Sequence, residues 1–179
     1  MNGFFKIEGF SKALETAQRA GLKGKFQIEH RNDAGDLVGT YDVPNGIVDE
    51  GLNHILNTQF HQGSQVATWY IGLVDNSGWT AFNDADTLAS HSGWSEFTSY
   101  TETNRVEWDE DAASSRSISN SNTANFSINA SGNLKGIFIS SNNVKSTGNT
   151  GTLWSTAAFS ATVSVANGDT LKITYTVSG

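Results

Sequence analysis

The stretch Thr170-Leu-Lys-Ile-Thr-Tyr-Thr-Val-Ser178 alternates without a break, Leu171, Ile173, Tyr175 and Val177 falling on one face and Lys172, Thr174 and Thr176 on the other. A period of two belongs to a strand with one dry face and one wet face, not to a helix. Asn167-Gly168-Asp169 before it is a turn by composition. Working toward the N-terminus, TLWSTAAFSATVSV supplies one bent strand or two short ones, and SNNVKSTGNTGT is a flexible loop. NLKGIFISS places Ile137 and Ile139 on one face, with Leu134 and Phe138 on the other. TANFSIN alternates through Ala124, Phe126 and Ile128.

The first half is more varied. Lys25–Arg31 alternates through Phe26, Ile28 and His30. The short Gly-containing loop Asp33 to Asp36 and the returning LVGTYDV make it a hairpin. Ile47, Val48, Leu52, Ile55, Leu56 and Phe60 recur near a 3.6 period, which predicts an amphipathic helix over about residues 47–60. Asn45 is its expected N-cap, and Asp49 and Glu50 suit the positive end of its dipole. Gly51 costs such a helix about 1 kcal/mol against Ala, so its presence implies close approach of a neighbouring backbone. Val66–Val74 is apolar on both faces and reads as a central strand covered by the helix on one side and the core on the other. Loops are expected from Trp79 to Asp111, with a helical turn near Asp84–Leu88 and brief strands near Glu96–Thr101 and Arg105–Trp108. Ahead of all this, Ser11 can cap a short helix through Ala20, with Gly21 past its end.

These elements predict a mainly β fold, an antiparallel β-sandwich or jelly roll with one amphipathic helix and a short N-terminal arm. The arm is residues 1–24 with its short helix, and the sandwich domain is residues 25–179. The chain is long enough at 179 residues to bury one sizeable core. It has no cysteine, which excludes disulfides, thiolate metal sites and thiol nucleophiles. A formal net charge of −7 argues against nucleic acid or an anionic membrane as partner. No apolar run approaches the ~20 residues of a membrane helix, and the opening MNGFFKIEGFSKALE lacks the apolar core of a secretory signal.

Catalytic signals are sparse. There is no GxSxG, no phosphate-binding glycine loop and no HExxH. His54 and His61 lack a third ligand at metal spacing, and read as a polar-face residue and a loop residue. Asn83, Asp84 and Asp86 form one oxygen-rich loop, and Glu107, Asp109, Glu110 and Asp111 another. Calcium would favour such oxygens, but the EF-hand pattern fails. Paired carboxylates beside tryptophans also bring a sugar site to mind. Large aromatics more often fill a core or an oligomer interface. The expectation is therefore no enzyme, no cofactor and no metal site.

NGIVDEGLNHILNTQF followed by TWYIGLVDNSG resembles a segment of small structural proteins of tailed bacteriophages. GNLKGIFISS and GTLWSTAAFSATVSVANGDTLKITYTVSG resemble the C-terminal half of the same group. The resemblance implies a virion component, made in a host bacterial cytoplasm: a capsid decoration (cement) protein, or else a head or tail fibre or tail adaptor component. A carbohydrate-binding module is the remaining alternative, and it requires exposed indoles. The implied partners are the major capsid protein or other virion subunits, with self-association as a dimer or trimer. The arm and the Trp-rich middle lie outside the resemblance. They supply the residues expected to bury surface on a partner: Phe4, Phe5, Phe10 and Leu14 from the arm, and Trp79, Trp94 and Trp108 from the middle.

Overall fold

The alternating C-terminal stretch forms β10 (Thr170–Ser178), with Leu171, Ile173, Tyr175 and Val177 turned inward. The computed structural model describes residues 21–179, so the expected arm helix over Ser11–Ala20 lies outside the described residues. β1 (Lys23–Arg31) and β2 (Leu37–Ile47) make the expected hairpin. Its tip is held by Asn32, whose carbonyl accepts from Gly35 N and whose Oδ1 accepts from Asp36 N at 2.8 Å. β1 begins two residues before the alternation that announced it, at Lys23, because Lys23 and Gly24 are paired with Ser178 and Val177 of β10.

The other strands are β3 (Trp69–Asp75), β4 (Ser95–Phe97), β5 (Val106–Trp108), β6 (Ser117–Ser119), β7 (Ala124–Ser127), β8 (Gly132–Ser140) and β9 (Leu153–Val165). One α-helix is present among the described residues, α1 (Asp49–Phe60). The strand order is β4-β3-β8-β9-β2-β1-β10-β6, with every pairing antiparallel. β4 and β5 share the outer edge of β3, and β6 and β7 share that of β10. The fold is thus mainly β, a curled and open antiparallel sheet with one helix. Its two ends approach each other through isolated bridges, Tyr100 to Ile128 and Glu110 to Asn120, rather than a continuous ladder.

The curl puts one face of most strands into a shared core, where Phe26, Ile71, Leu73, Ile137, Ile139 and Ile173 are fully or nearly fully buried. A second, smaller cluster covers the opposite face of β3, β8 and β9, built from Val74, Phe138 and Leu153 under Trp94 and Leu88. β3 is therefore buried on both faces, as its composition required. Its cover is not the one expected. The aromatic loop around Trp79, Phe82 and Trp94 lies over the second face, and the helix contributes only Val48, which precedes it.

Several further expectations are corrected. Asn45 is not a helix cap: it belongs to β2, and its Nδ2 donates to Tyr175 Oη at 3.1 Å. The helix starts at Asp49 with no side-chain cap, its first N–H donating instead to Asp84 O at 2.9 Å. Residues Asp84–Leu88 form turns, not a helical turn. Leu134 joins Ile137 and Ile139 in the main core, because a register shift between Leu134 and Gly136 reverses its side. β6, in the Ser-rich stretch, carried no alternating apolar signal and went unforeseen.

Tyr175 sits where the curl closes. Its ring stacks on Phe26 at 4.3 Å, and the edge of Trp108 meets it at 5.2 Å. Its hydroxyl accepts from Trp154 Nε1 (3.0 Å) and Asn45 Nδ2 (3.1 Å). Its carbonyl accepts from Trp108 Nε1 at 3.1 Å, and its N–H donates to Asn120 Oδ1 at 2.6 Å. Burial first of all pushes the Tyr175 phenol above its ordinary value, with hydrogen bonds from Ser155, Trp154 and Asn45 acting the other way. Burial likewise raises Tyr100, aided by the Glu96 carboxylate. Both effects have one sign: stability holds below the unfolded tyrosine value of about 10 and falls as pH rises above it, because the unfolded chain then releases protons the folded chain keeps. Tyr175→Phe is expected to cost about 1–3 kcal/mol in urea unfolding, since it strands the buried Trp154 Nε1–H and leaves Asn45 Nδ2 only its Gly46 carbonyl. In an alkaline titration, part of the tyrosinate absorbance should appear together with loss of the β-sheet circular dichroism, and that coincident step should shrink in Y175F.

Candidate interaction surface

α1 rests on the sheet by its smallest residue. A Cβ at Gly51 would collide with the carbonyl oxygen of Trp154 and lie 3.1 Å from its carbonyl carbon and Cα. This is the backbone approach that the glycine implied. Glu50 secures the same end, its Oε2 accepting backbone N–H groups from Leu88 (3.0 Å) and Leu153 (2.6 Å). With Gly51 facing in, the residues three, four and seven positions on also face the sheet. Ile55 packs on the core, and the His54 ring meets the edge of Trp69 at 5.6 Å. His54 is therefore not a polar-face residue, whereas His61 is an exposed residue at the helix end, as expected.

That seating turns the larger apolar residues outward. Leu52, Leu56 and Phe60 follow one another at intervals of four along the solvent side, and Phe60 is 82% exposed. Three large side chains in a row on an anchored helix are an unusual use of a solvent face. The sequence showed the same residues as the apolar stripe of a helix expected to cover the strand Val66–Val74, because periodicity reveals a stripe without saying which side it faces.

Beneath α1 lies a groove of about 360 Å³. Trp69 and Trp154, with ring centroids 5.7 Å apart, lie along it together with Ile55 and Val66. Leu22 forms part of its wall, and His54, Gln59, Gln65 and Glu110 bring polar groups to it. Neither Trp69 nor Trp154 was singled out from sequence, since each sits in a strand reading as core.

The tryptophans singled out from sequence are distributed differently. Trp94 is 5% exposed, stacked on His91 at 3.8 Å, and its Nε1 donates to Asp86 Oδ2 at 3.0 Å. Trp108 is also 5% exposed, its N–H spent on the Tyr175 carbonyl, although it reaches the groove. Trp79 is half-buried against Phe82 at 4.6 Å. The exposed indoles that sugar stacking requires are therefore not found at Trp94 or Trp108. Phe4, Phe5, Phe10 and Leu14 lie outside the described residues.

One carboxylate in each acidic loop, Asp86 and Asp109, is engaged by neighbouring groups of the chain. Asp86 Oδ2 also accepts from Asn83 N at 3.0 Å. Hydrogen bonds from Asn122 and Ser121 hold the Asp109 carboxyl below its usual range. No group of three or more His, Cys, Asp or Glu is placed to hold a metal ion among the described residues. The buried ion pair Arg105–Glu96 (2.9 Å) spends its charge on structure: Arg105 Nη1 also donates to the carbonyls of Asn142 and Gly148, stitching a loop to β4. No protein-family model matches the chain, and no curated protein matches its sequence.

The close approach at Gly51 yields a prediction of definite sign. In an ordinary exposed helix Gly→Ala stabilises by about 1 kcal/mol. Here Gly51→Ala is expected to destabilise by about 1–3 kcal/mol, the range for overpacking, in urea unfolding followed by circular dichroism.

Proposed function

We propose that this protein is a structural component of a tailed-phage virion: a capsid decoration protein that lies on the assembled head and acts by binding the major capsid protein. In this reading the curled sheet belongs to a jelly-roll-type sandwich, a stiff frame, and the subunits associate as a dimer or trimer on the shell. The observation that supports it best is the Leu52–Leu56–Phe60 row. A protein that works alone in water gains nothing by fixing three large apolar side chains outward, whereas one that docks on a shell gains buried area from each. The helix is pinned through Gly51 and Glu50, so the row is held ready and little ordering remains for the moment of binding. A net charge of −7 fits a protein partner better than a nucleic acid.

The test uses purified protein and capsids that lack it. Co-sedimentation, and increased capsid resistance to heat and chelator, are the expected results. Leu52→Ser, Leu56→Ser and Phe60→Ser combined should weaken binding about a hundredfold if the row is a hot spot. Because all three side chains are exposed, the monomer's unfolding free energy should change by no more than about 0.5 kcal/mol per site. Protein that neither binds capsids nor protects them overturns the reading.

A further inference from the structure

β2 meets β9 only through Gly46 and Ile47, which pair with Thr156 and Ser155. From Leu37 to Asn45 it has β1 on one side and, among the described residues, no strand on the other. The ladder fixes which main-chain groups that open edge presents. Val48 N donates to Trp154 O at 3.2 Å, so Gly46, two residues earlier, also turns its main chain toward β9. Alternation then points the N–H and C=O of Thr40 and Asp42 out of the same edge, because the register with β1 is unbroken from Asn45 to Gly39. Pro44 falls on this edge too, where its missing N–H takes nothing from β1. We infer that the edge joins a second copy of this chain, β2 pairing antiparallel with β2 of the copy about a two-fold axis, Thr40 facing Asp42, so that the homodimer shares one continuous sheet.

The other edges of the sheet are blunted, and this one is not. An open edge templates a further strand unless short length, bulges or charges oppose it. The far ends of the sheet are divided into the short β4, β5, β6 and β7 and are bridged to each other. β9 leaves its ladder between Ala158 and Val163, where its register with β8 shifts. β2 carries no charged residue from Leu37 to Tyr41, and Leu37 and Val38 are 55% and 54% exposed.

The same residues select the occupant and the register. A two-fold axis sets a segment against itself, so it favours one that brings no net charge to the seam. Asp42, the one carboxylate in reach, is already engaged by Lys25 Nζ at 3.0 Å and Gln27 Nε2 at 3.1 Å. With Thr40 facing Asp42, the outward N–H and C=O groups of both are satisfied. Exposed Val38 then lies against Pro44 of the copy, which asks for no N–H partner. Sliding β2 toward its hairpin tip sets Asp42 against Val38, beyond the unbroken register, and then against Asp36, whose N–H and carbonyl are already bonded to Asn32. Sliding it the other way sets Asp42 against its own copy, and like charges directly opposed are destabilising. The Leu52–Leu56–Phe60 row contributes nothing to this seam, so the inference goes beyond the capsid reading.

Sedimentation velocity of the full chain over a concentration series, without capsids, should show a monomer–dimer equilibrium. Thr40→Pro removes an outward N–H that β1 does not use, and Thr40→Asp sets a second carboxylate against Asp42 of the copy. Each is expected to raise the dimer dissociation constant at least about tenfold. Thr40 is exposed, so circular dichroism of the monomer should be unchanged; T40D keeps the main chain intact and carries the test if T40P fails to fold. In hydrogen exchange the Thr40 and Asp42 amides should become slower as protein concentration rises. The chain carrying L52S, L56S and F60S should dimerise like its parent. A monomer at every concentration, a trimer, or a dimer whose dissociation constant is unchanged in T40D overturns the inference. So does a dimer lost in the L52S, L56S, F60S chain, which would move the seam to α1. No capsid enters these measurements, so this inference and the proposed function fail separately.

Discussion

The constraint on which the fold turns is the full satisfaction of one buried tyrosine. Tyr175 lies on β10, but its hydroxyl and main chain hold partners from β2, β9, β5 and the segment between β6 and β7. A polar group buried without partners is costly, so each of these elements must arrive at the same point together. Phe26 below and Trp108 at the edge complete the site with apolar contacts. A flat sheet would keep β5 far from β10; the indole N–H of Trp108 reaches the Tyr175 carbonyl because the sheet is curled. The hydrogen bonds thereby select the curl, while the apolar stripes supply most of the driving force.

The curl has a consequence for the outer surface. Once one face of the sheet is turned in on itself, the other face of β3, β8 and β9 needs separate cover. The loop carrying Trp79, Phe82 and Trp94 provides it, with Phe138 as floor. That keeps α1 off this second face, to which only Val48, just ahead of it, contributes. It settles against the Trp154 backbone by its glycine and leaves Leu52, Leu56 and Phe60 in water. Core and candidate surface are two results of one allocation, since aromatics spent on the second cluster displaced the helix from the place its composition suited.

The legible parts of the fold were those governed by local periodicity. β10, the β1–β2 hairpin, β7 and β8 followed from alternation, and the contact at Gly51 followed from the cost of glycine in a helix. β6 escaped because its Ser-Ile-Ser has no stripe to read, being held by pairing with Thr176–Ser178. The face of Leu134 escaped because a single register shift inverts alternation. The surface escaped for another reason: aromatic residues were read as left over, whereas Trp94 and Trp108 have buried rings and satisfied N–H groups.

By itself the chain's order of residues determined where strands alternate, where turns fall, that a helix follows β2, and that neither disulfides nor thiolate chemistry contributes. Those properties depend on neighbours a few positions away. Tertiary structure alone decided which side of α1 meets the sheet, which tryptophans are enclosed, and that Trp69 and Trp154 line one groove. The reason is geometric. A period of 3.6 or 2 specifies that apolar groups share a face, but the surface that face meets is set by contacts between residues as distant as Gly51 and Trp154, and no local pattern encodes their meeting.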